Sequence, residues 1–413
     1  MRKKVVRIVA IVCVLFSVVF GINIDASAID IITTSEIVRI ARTPNVFNPD
    51  FTGKEYKCTA MGGIYVTRVK NSMFVVKASG NERMAALYHY PDLDDTSRYK
   101  VVFLRYAGHA NALTMDAGNV YITGWCSKSE NIQQHNTYNN WILKIPRSLI
   151  SATPDRGTLP KDNPNTQEVE GYKVLHPKMI NPDESARETT PYVPYTESIA
   201  SIARYGNKFI VSWDGVALYN KSGDKYYGFT TAELVTVGEK TLFVVSNDPD
   251  DRFIVQNNTV HDVSITLVNQ DIGYSAGKGL VIPVWYKVRN DVGTEDSVGT
   301  KNVIMWADID SEGSTIVNRR VGSNGKVYGD GRTYRYYVPD KISAVAHNIK
   351  APGTQINMYK KMEFESAAFS ASGELLVSAN AVHSDEYIKY IGSKASADGV
   401  YKVTHSGGQN FNF

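Results

Sequence analysis

"GGIYVTRVKNSMFVVKA", at residues 62–78, is the first copy of a pattern that recurs along the chain. Four similar stretches follow: "GHANALTMDAGNVYITGW" at 108–125, "ESIASIARYGNKFIVSW" at 197–213, "QDIGYSAGKGLVIPVW" at 270–285 and "ESAAFSASGELLVSAN" at 365–380. Each has a small or polar start, a half-apolar strand, a turn that usually carries Gly or Asn, and an apolar triplet. A weaker sixth copy, "AELVTVGEKTLFVVSN", lies at 232–247. Copies at such spacing indicate a repeat architecture.

A third strand follows each of these hairpins. The six segments are "MAALYHY" at 84–90, "NWILKI" at 140–145, "VALYN" at 216–220, "RFIVQN" at 252–257, "NVIMWADI" at 302–309 and "GVYKVT" at 399–404. Outer strands such as "YKVVFLRY" at 99–106 complete several units. Six antiparallel units of up to four strands predict an all-β fold, a β-propeller of six blades. The alternative is five blades with 232–268 as an insertion.

The two ends of the chain predict how the ring closes. The last unit reaches its third strand at 400–403 and then nearly runs out of chain, so its outermost strand is missing. Residues 29–61 precede the first unit and have no blade of their own. We therefore expect them to pair beside the last blade and cover its edge. The predicted organisation is a signal peptide at 1–28, a closing segment at 29–61 and the propeller at 62–413.

The first 28 residues predict export. Four basic residues, at positions 2, 3, 4 and 7, precede a 15-residue apolar run at 8–22 and then Ala26-Ser27-Ala28. This is the pattern of a secretory signal with a small-x-small cleavage site. An uncleaved anchor is the alternative, but a bilayer needs roughly 20 apolar residues. We expect a secreted, extracellular protein that begins at Ile29.

The charge balance narrows the class of partner. The 413 residues carry a formal charge of +3, but four of the 45 basic and one of the 42 acidic side chains lie in the first 28 residues, which leaves 41 of each. A neutral mature chain without a basic cluster offers nothing to nucleic acid or to an anionic membrane surface. We expect a monomer whose partner is a glycan or an extracellular protein.

Two cysteines remain after cleavage, Cys58 and Cys126. An even pair in an exported chain predicts one disulfide. Two free, buried thiols are the alternative.

One face of the ring receives the extra residues. The start of each first strand and the connection between the second and third strands lie at the same end of a blade, and that connection is long at 126–139, 286–301 and 381–398. We call this end the decorated face, and insertions on one face of a repeat protein commonly mark its binding face. The candidate ligand-binding residues there are His109, Asn111, Trp125, Glu197, Trp213, Asp271, Trp285 and Glu365.

Each group of candidates also has a structural explanation. The polar residues could line the channel and hold water. The three tryptophans end the second strands of their units, where aromatic side chains often fill the space between blades. As a binding surface they would offer ring faces beside hydrogen-bonding groups, which is what a sugar requires.

Neither a metal nor a cofactor is indicated. "DIDSEG" at 308–313 copies half of a calcium loop, but Arg319 stands where the bidentate carboxylate belongs. The eight histidines lack zinc-site spacing, and no G-x-S-x-G elbow occurs. The leading hypothesis is a non-catalytic binding module for a glycan or a cell-surface partner. The alternative is an extracellular polysaccharide hydrolase or lyase that uses rim carboxylates as acid and base.

The segments "GHANALT", "QDIGY" and "FESAAFSASGELLVS" resemble repeats of secreted bacterial β-propellers, including the helveticin-like group and, more distantly, the NHL and lactonase-type propellers. The resemblance covers residues 62–404 as architecture. A lactonase-type relative would imply a channel metal held by Glu, Asn and Asp, but that spacing has no residue-by-residue match in this sequence.

Overall fold

The computed structural model describes residues 30–404, apart from 35, 50–54, 68–70, 81, 83, 106, 125–140, 153–165, 169, 178–191, 195–198, 214–225, 247, 257–270, 290–294, 322, 329–330, 346–348 and 395. The strands are β1 (Asp30–Thr34), β2 (Glu36–Arg42), β3 (Val46–Pro49), β4 (Glu55–Val66), β5 (Met73–Ser79), β6 (Met84–Tyr90), β7 (Lys100–Arg105), β8 (Leu113–Met115), β9 (Asn119–Thr123), β10 (Trp141–Pro146), β11 (Thr166–Glu168), β12 (Glu170–Pro177), β13 (Tyr192–Pro194), β14 (Ile202–Tyr205), β15 (Lys208–Trp213), β16 (Tyr226–Val237), β17 (Lys240–Val245), β18 (Arg252–Gln256), β19 (Gly273–Ser275), β20 (Gly279–Arg289), β21 (Glu295–Ala307), β22 (Ser314–Val317), β23 (Arg320–Val321), β24 (Val327–Tyr328), β25 (Thr333–Tyr337), β26 (Lys341–Val345), β27 (Tyr359–Phe369), β28 (Leu375–His383) and β29 (Gly399–Thr404).

Two short helices interrupt the strands, α1 (Arg147–Ala152) and α2 (Asp385–Ile391), together with a 3-10 turn at Pro249–Asp251. Within the described residues, no helix is long and apolar enough to cross a membrane. The predicted signal peptide lies outside the described residues.

The strands form the blades of an all-β propeller. Four-stranded antiparallel sets account for most of them: β4-β5-β6-β7, β8-β9-β10-β12, β14-β15-β16-β18, β19-β20-β21-β26 and β27-β28-β29-β2, which we number blades 1 to 5. The first strand of each set is the innermost. Valine, isoleucine and aromatic residues dominate the buried second strands, which suits a pleated surface covered on both faces.

The five inner strands contact one another in a closed cycle, β4 to β8, β8 to β14, β14 to β19, β19 to β27 and β27 back to β4. The approach between neighbours is tight. A Cβ on Gly63 in β4 would lie 2.3 Å from the backbone nitrogen of Leu113 in β8, so only glycine fits there.

The predicted sixth blade is not confirmed, because the described strands close through five inner strands. The sixth copy, at 232–247, forms the hairpin of β16 and β17 instead. The first half of β16 pairs with β15 as the third strand of blade 3, its second half pairs with β17, and β17 reaches β12 of blade 2. The copy resembles a unit because any half-buried hairpin repeats the same alternation. The third strand predicted at 216–220 lies outside the described residues.

An N-terminal strand closes the ring, as predicted, but only part of the predicted closing segment takes this role, because residues 55–61 belong to β4 of blade 1 and β3 pairs with β4. Strand β2 pairs antiparallel with β29 as the outermost strand of blade 5, with Ile37 opposite Val403. Strand β1 continues this pattern on blade 4, where it pairs with β26. Strand β2 therefore covers the edge of β29, which would otherwise be the unpaired outer strand of blade 5.

The core lies between the blades. One cluster packs Val75 of blade 1 against Leu376 and Val400 of blade 5, and another packs Phe74 of blade 1 against Leu113 and Ile122 of blade 2. Cys58 belongs to the first cluster as a buried free thiol, and burial raises its pKa to about 12. Cys58 is a free thiol, which does not support the predicted disulfide, and its expected partner, Cys126, lies outside the described residues.

Candidate functional site

The described residues enclose a cavity of about 290 Å³ on the axis of the ring. All five inner strands contribute to it near their C-terminal ends, together with the turns that follow β14 and β19. We call this cavity the channel mouth. The sequence analysis expected the ligand at the decorated face. The channel mouth lies at the opposite end of the inner strands.

Aromatic side chains surround the channel mouth. Tyr65, Tyr274 and Phe369 line it from blades 1, 4 and 5, and all three are half-buried. Tyr274 is held from two sides. Its hydroxyl donates to Asp310 at 2.9 Å and 3.1 Å, and its ring meets Tyr205 edge-on with 4.9 Å between centroids. A ring fixed in this way can stack on a ligand with little loss of side-chain freedom.

Arg204 is the charged side chain that lines the cavity, from the end of β14. Its Cζ lies 4.8 Å from the centre of the buried Phe209 ring, a cation–π contact. Asp116 lies nearby at the end of blade 2. Partial burial opposes ionisation of Asp116, but hydrogen bonds from Tyr121, Gly118 and Asn119 and the charge of Arg204 together lower its pKa.

The inner strands are tied together by one carboxylate, Asp271. Its Oδ2 accepts a hydrogen bond from Ser366 of blade 5 at 2.5 Å, and its Oδ1 accepts one from the backbone of Ile202 in blade 3 at 3.3 Å. The backbone nitrogen of Leu113, in blade 2, also donates to it. Ser366 in turn accepts from the Ile64 nitrogen of blade 1. Asp271 therefore connects all five blades, directly or through Ser366.

Asp271 is fully buried, and burial raises its pKa well above the usual range, against the opposing effect of its hydrogen bonds. Such a carboxyl group has a structural role, because its oxygens satisfy buried donors of other blades, the Ser366 hydroxyl and backbone nitrogens. The sequence analysis placed it among the ligand-binding candidates, and the described contacts of its side chain are within the ring.

Glu365 is 1% exposed and lies within β27, which begins at Tyr359. Its Oε1 accepts from the Asn380 side chain at 2.6 Å, and the Asn380 oxygen accepts from the Met61 nitrogen of blade 1 at 2.7 Å. Its Oε2 has no hydrogen-bond partner among the described residues. Burial, followed by the charge of Glu363, raises the pKa of Glu365 well above the usual range.

Of the other predicted site residues, the structure describes the side chains of Asn111 and His109. Asn111 is 4% exposed, and no group in the part of the chain that the structure describes forms a hydrogen bond with its Oδ1. His109 is half-buried between Gly108 and Ala110, which both have positive φ angles. For Trp213 and Trp285 the structure gives only the backbone, at the end of β15 and within β20. Trp125 and Glu197 lie outside the described residues, so the tryptophan platform stays a prediction.

The sequence analysis missed the residues of the channel mouth, although the repeats carry a signal for them. In "GGIYV", "ARYGN", "DIGYS" and "AAFSASG", an aromatic residue is the last or next-to-last residue of the inner strand. These residues are Tyr65, Tyr205, Tyr274 and Phe369. Three of the four line the cavity, and Tyr205 supports the ring of Tyr274.

The acidic "DIDSEG" turn forms a closed hydrogen-bonded loop. The Asp310 nitrogen donates to Asp308 at 3.2 Å, and the Asp308 nitrogen donates to Asp340 at 2.6 Å. The described part of the chain contains no group of three or more His, Cys, Asp or Glu side chains placed to hold a metal ion.

No family model and no curated protein matches this chain. Solved structures that it resembles are β-propeller-like folds. One is the Neurospora crassa Pan2 WD40 domain, with 8% sequence identity and a TM-score of 0.28 over 93% of this chain and 99% of that chain. Another is the Pseudomonas brassicacearum lignostilbene dioxygenase, with 8% identity and a TM-score of 0.28 over 92% of this chain and 73% of that chain. A third is a PL25 polysaccharide lyase, an ulvan lyase bound to a GlcA and Rha3S saccharide, with 10% identity and a TM-score of 0.29 over 86% of this chain and 73% of that chain. At these TM-scores the likeness carries no argument, and the propeller assignment rests on the strand pairing. The finer resemblance to helveticin-like or NHL propellers is not confirmed.

Proposed function

We propose that this protein is an exported, non-catalytic binding module that holds part of a glycan at the channel mouth. The observation that carries the proposal is the axial cavity of about 290 Å³, lined by three half-buried aromatic rings. Ligand pockets commonly measure about 300–1,000 Å³. The cavity lies just below that range, which suits one or two sugar units.

The lining has the two chemical features that a sugar ring needs. The C–H faces of a sugar are apolar and stack on rings such as Tyr274 and Phe369, whereas its hydroxyls need donors and acceptors. Arg204 supplies donors, and the ends of the inner strands bring backbone groups to the same place. The partner would be a polysaccharide or the glycan of a cell-surface molecule.

The lining also favours binding over hydrolysis. Glycoside hydrolysis generally needs two carboxyl groups on opposite sides of the bond that breaks. Among the described residues that line the channel mouth there is no Asp, Glu or His. The two carboxyls with strongly raised pKa values, Asp271 and Glu365, are enclosed in the ring, where their described hydrogen bonds are to protein groups.

Export is the part of the proposal that the N-terminal sequence supports. The basic start, the short apolar run and Ala26-Ser27-Ala28 favour cleavage and release. N-terminal sequencing of protein from the culture medium should give Ile29 as the first residue. A first residue of Met1 would contradict release.

A polysaccharide panel tests the function. We expect retention of at least one glycan without release of products. Tyr274→Ala should weaken that binding about tenfold to hundredfold, which corresponds to roughly 1–3 kcal/mol for a lost stacking ring. Tyr390→Ala is the matched control, because Tyr390 lies on α2 and is 58% exposed. Product release would favour the hydrolase or lyase alternative, and unchanged binding by the Tyr274 variant would exclude the channel mouth as the site.

A further inference from the structure

We propose that the channel mouth selects a glycan that carries a carboxylate, such as a uronic acid, and that Arg204 is the residue that recognises it. This inference rests on the proposed function and deepens it. It begins from the charge of the lining: the described residues that surround the cavity include one cation, Arg204, and no carboxylate.

The guanidinium of Arg204 is available for a ligand. Within the described residues it makes no hydrogen bond and no ion pair, and its contacts are the ring of Phe209 and the charge of Asp116. A guanidinium has five N–H donors in a planar fork that matches a carboxylate. Packing on Phe209 restricts the side chain before any ligand arrives, which lowers the entropy that binding costs.

The acidic groups near the mouth are already occupied. Asp116 accepts hydrogen bonds from the Gly118 and Asn119 nitrogens at 2.7 Å each and from the Tyr121 hydroxyl at 2.6 Å. Asp310 accepts from the Tyr274 hydroxyl. These hydrogen bonds hold both carboxylates in place. Asp116 acts on Arg204 through its charge, and no hydrogen bond joins the two side chains within the described residues.

A second cation lies at the rim. Lys278 places its Nζ 5.0 Å from the centre of the Phe369 ring, and Phe369 itself lines the cavity. The Nζ also donates to the Gly373 carbonyl at 2.8 Å, which fixes it between the turns of blades 4 and 5. A carboxylated sugar that stacks on Phe369 would therefore have the Lys278 ammonium on one side and the Arg204 guanidinium within the cavity.

The experiment compares pairs of ligands that differ only in charge. Oligosaccharides of galacturonate, mannuronate and glucuronate are titrated calorimetrically into the mature protein, each as the acid and as its methyl ester. We expect at least one acid to bind tenfold or more tightly than its ester, with an affinity that falls as salt is added.

Variants of Arg204 locate the selectivity. Arg204→Gln should lower the affinity for the acid about tenfold to hundredfold, the usual range for a charge-assisted pair, and leave the ester unchanged. Arg204→Lys should recover only part of the loss, because an ammonium lacks the planar fork. Arg319→Gln is the control, since Arg319 is an exposed arginine that does not line the channel mouth.

Two failures are distinguishable. Equal binding of acid and ester, or a preference that survives Arg204→Gln, overturns the carboxylate inference while glycan binding itself stands. If neither these oligosaccharides nor any neutral glycan of the panel binds, the proposed function is wrong and this inference falls with it.

Discussion

The Nζ of Lys77 lies 2.8 Å from Oδ2 of Asp398, so an ion pair connects the second strand of blade 1 to the residue that precedes β29, the third strand of blade 5. The Lys77 side chain is fully buried, and its Nζ also donates to the Thr43 carbonyl at 3.1 Å and to the Asn45 side chain at 2.6 Å. Thr43 and Asn45 follow β2. One ammonium group therefore joins the first blade, the last blade and the closing segment.

Removing this ammonium should destabilise the whole ring. Lys77→Met leaves Asp398, whose side chain is 11% exposed, without its charged partner. Breaking a buried ion pair on one side costs about 3–5 kcal/mol. Urea unfolding of the variant should show that loss in the free energy of unfolding.

Lys208→Met is the matched control for this experiment. Lys208 is 38% exposed and lies 4.0 Å from Asp251, so its removal should cost under about 1 kcal/mol. Equal losses in the two variants would contradict a special role for Lys77.

The pairing of β2 with β29 can be tested at Gly399. A Cβ there would lie 2.2 Å from the Ala41 carbonyl oxygen, so Gly399→Ala must push the two strands apart. Overpacking of this kind costs about 1–3 kcal/mol. We expect a lower melting temperature and faster amide exchange in β2.

Gly118→Ala serves as the control for Gly399→Ala, because the nearest atom to its added Cβ is 3.8 Å away in the Asp116 side chain. Its melting temperature should stay near that of the wild type. If Gly399→Ala behaves in the same way, the closing strand contributes little to the stability of the ring.

The repeated hairpins and the incomplete last unit predicted the architecture well, because both can be recognised from the local alternation of apolar residues and turns. The Gly and Asn turns between half-apolar strands marked β4–β5, β8–β9, β14–β15, β19–β20 and β27–β28 correctly. The missing outer strand of the last unit correctly predicted β2. The blade count was harder, since a hairpin such as β16–β17 has the same alternation whether it begins a blade or extends one.

The site could be predicted only in part. The sequence predicted that Asp271 and Glu365 lie at the starts of inner strands. Asp271 does precede β19, but Glu365 lies within β27, which begins at Tyr359. Whether a carboxyl faces water or the groups of other blades depends on contacts between residues far apart in the chain. Arg204 gives no motif at all. Its role follows from a cavity to which five strands, more than 300 residues apart at the extremes, each contribute an end.

Glu365 should make the stability of the protein depend on pH. Its pKa is raised by burial and by Glu363, so the folded state holds its proton at pH values where the unfolded state has released it. Stability from this group is complete below the unfolded pKa and is lost as the pH rises toward the folded pKa, by at most about 1.4 kcal/mol per pH unit for one proton.

Glu365→Gln removes this proton and should flatten that loss. Urea unfolding at a series of pH values between 4 and 8 (roughly the span above an unperturbed Glu) measures the difference between the variant and the wild type. We expect the variant to gain stability relative to the wild type as the pH rises. A constant difference across the series would show that Glu365 does not titrate differently in the folded state.

The final prediction concerns Trp125, Trp213 and Trp285, for which the channel mouth and the decorated face require opposite results. If the glycan is held at the channel mouth, Trp→Ala at each position should keep the affinity within about twofold, well short of the ~1.4 kcal/mol of a tenfold change. If these tryptophans also pack between blades, each variant should lose about 3–5 kcal/mol of folding stability. Trp306 provides the reference for such packing, since its side chain is buried in the core between blades 4 and 5. Calorimetric titration and thermal melting of the same three proteins separate the two roles. A tenfold to hundredfold loss of affinity in proteins that melt normally would move the binding site to the decorated face, because a stacking platform can be removed there without disturbing the ring.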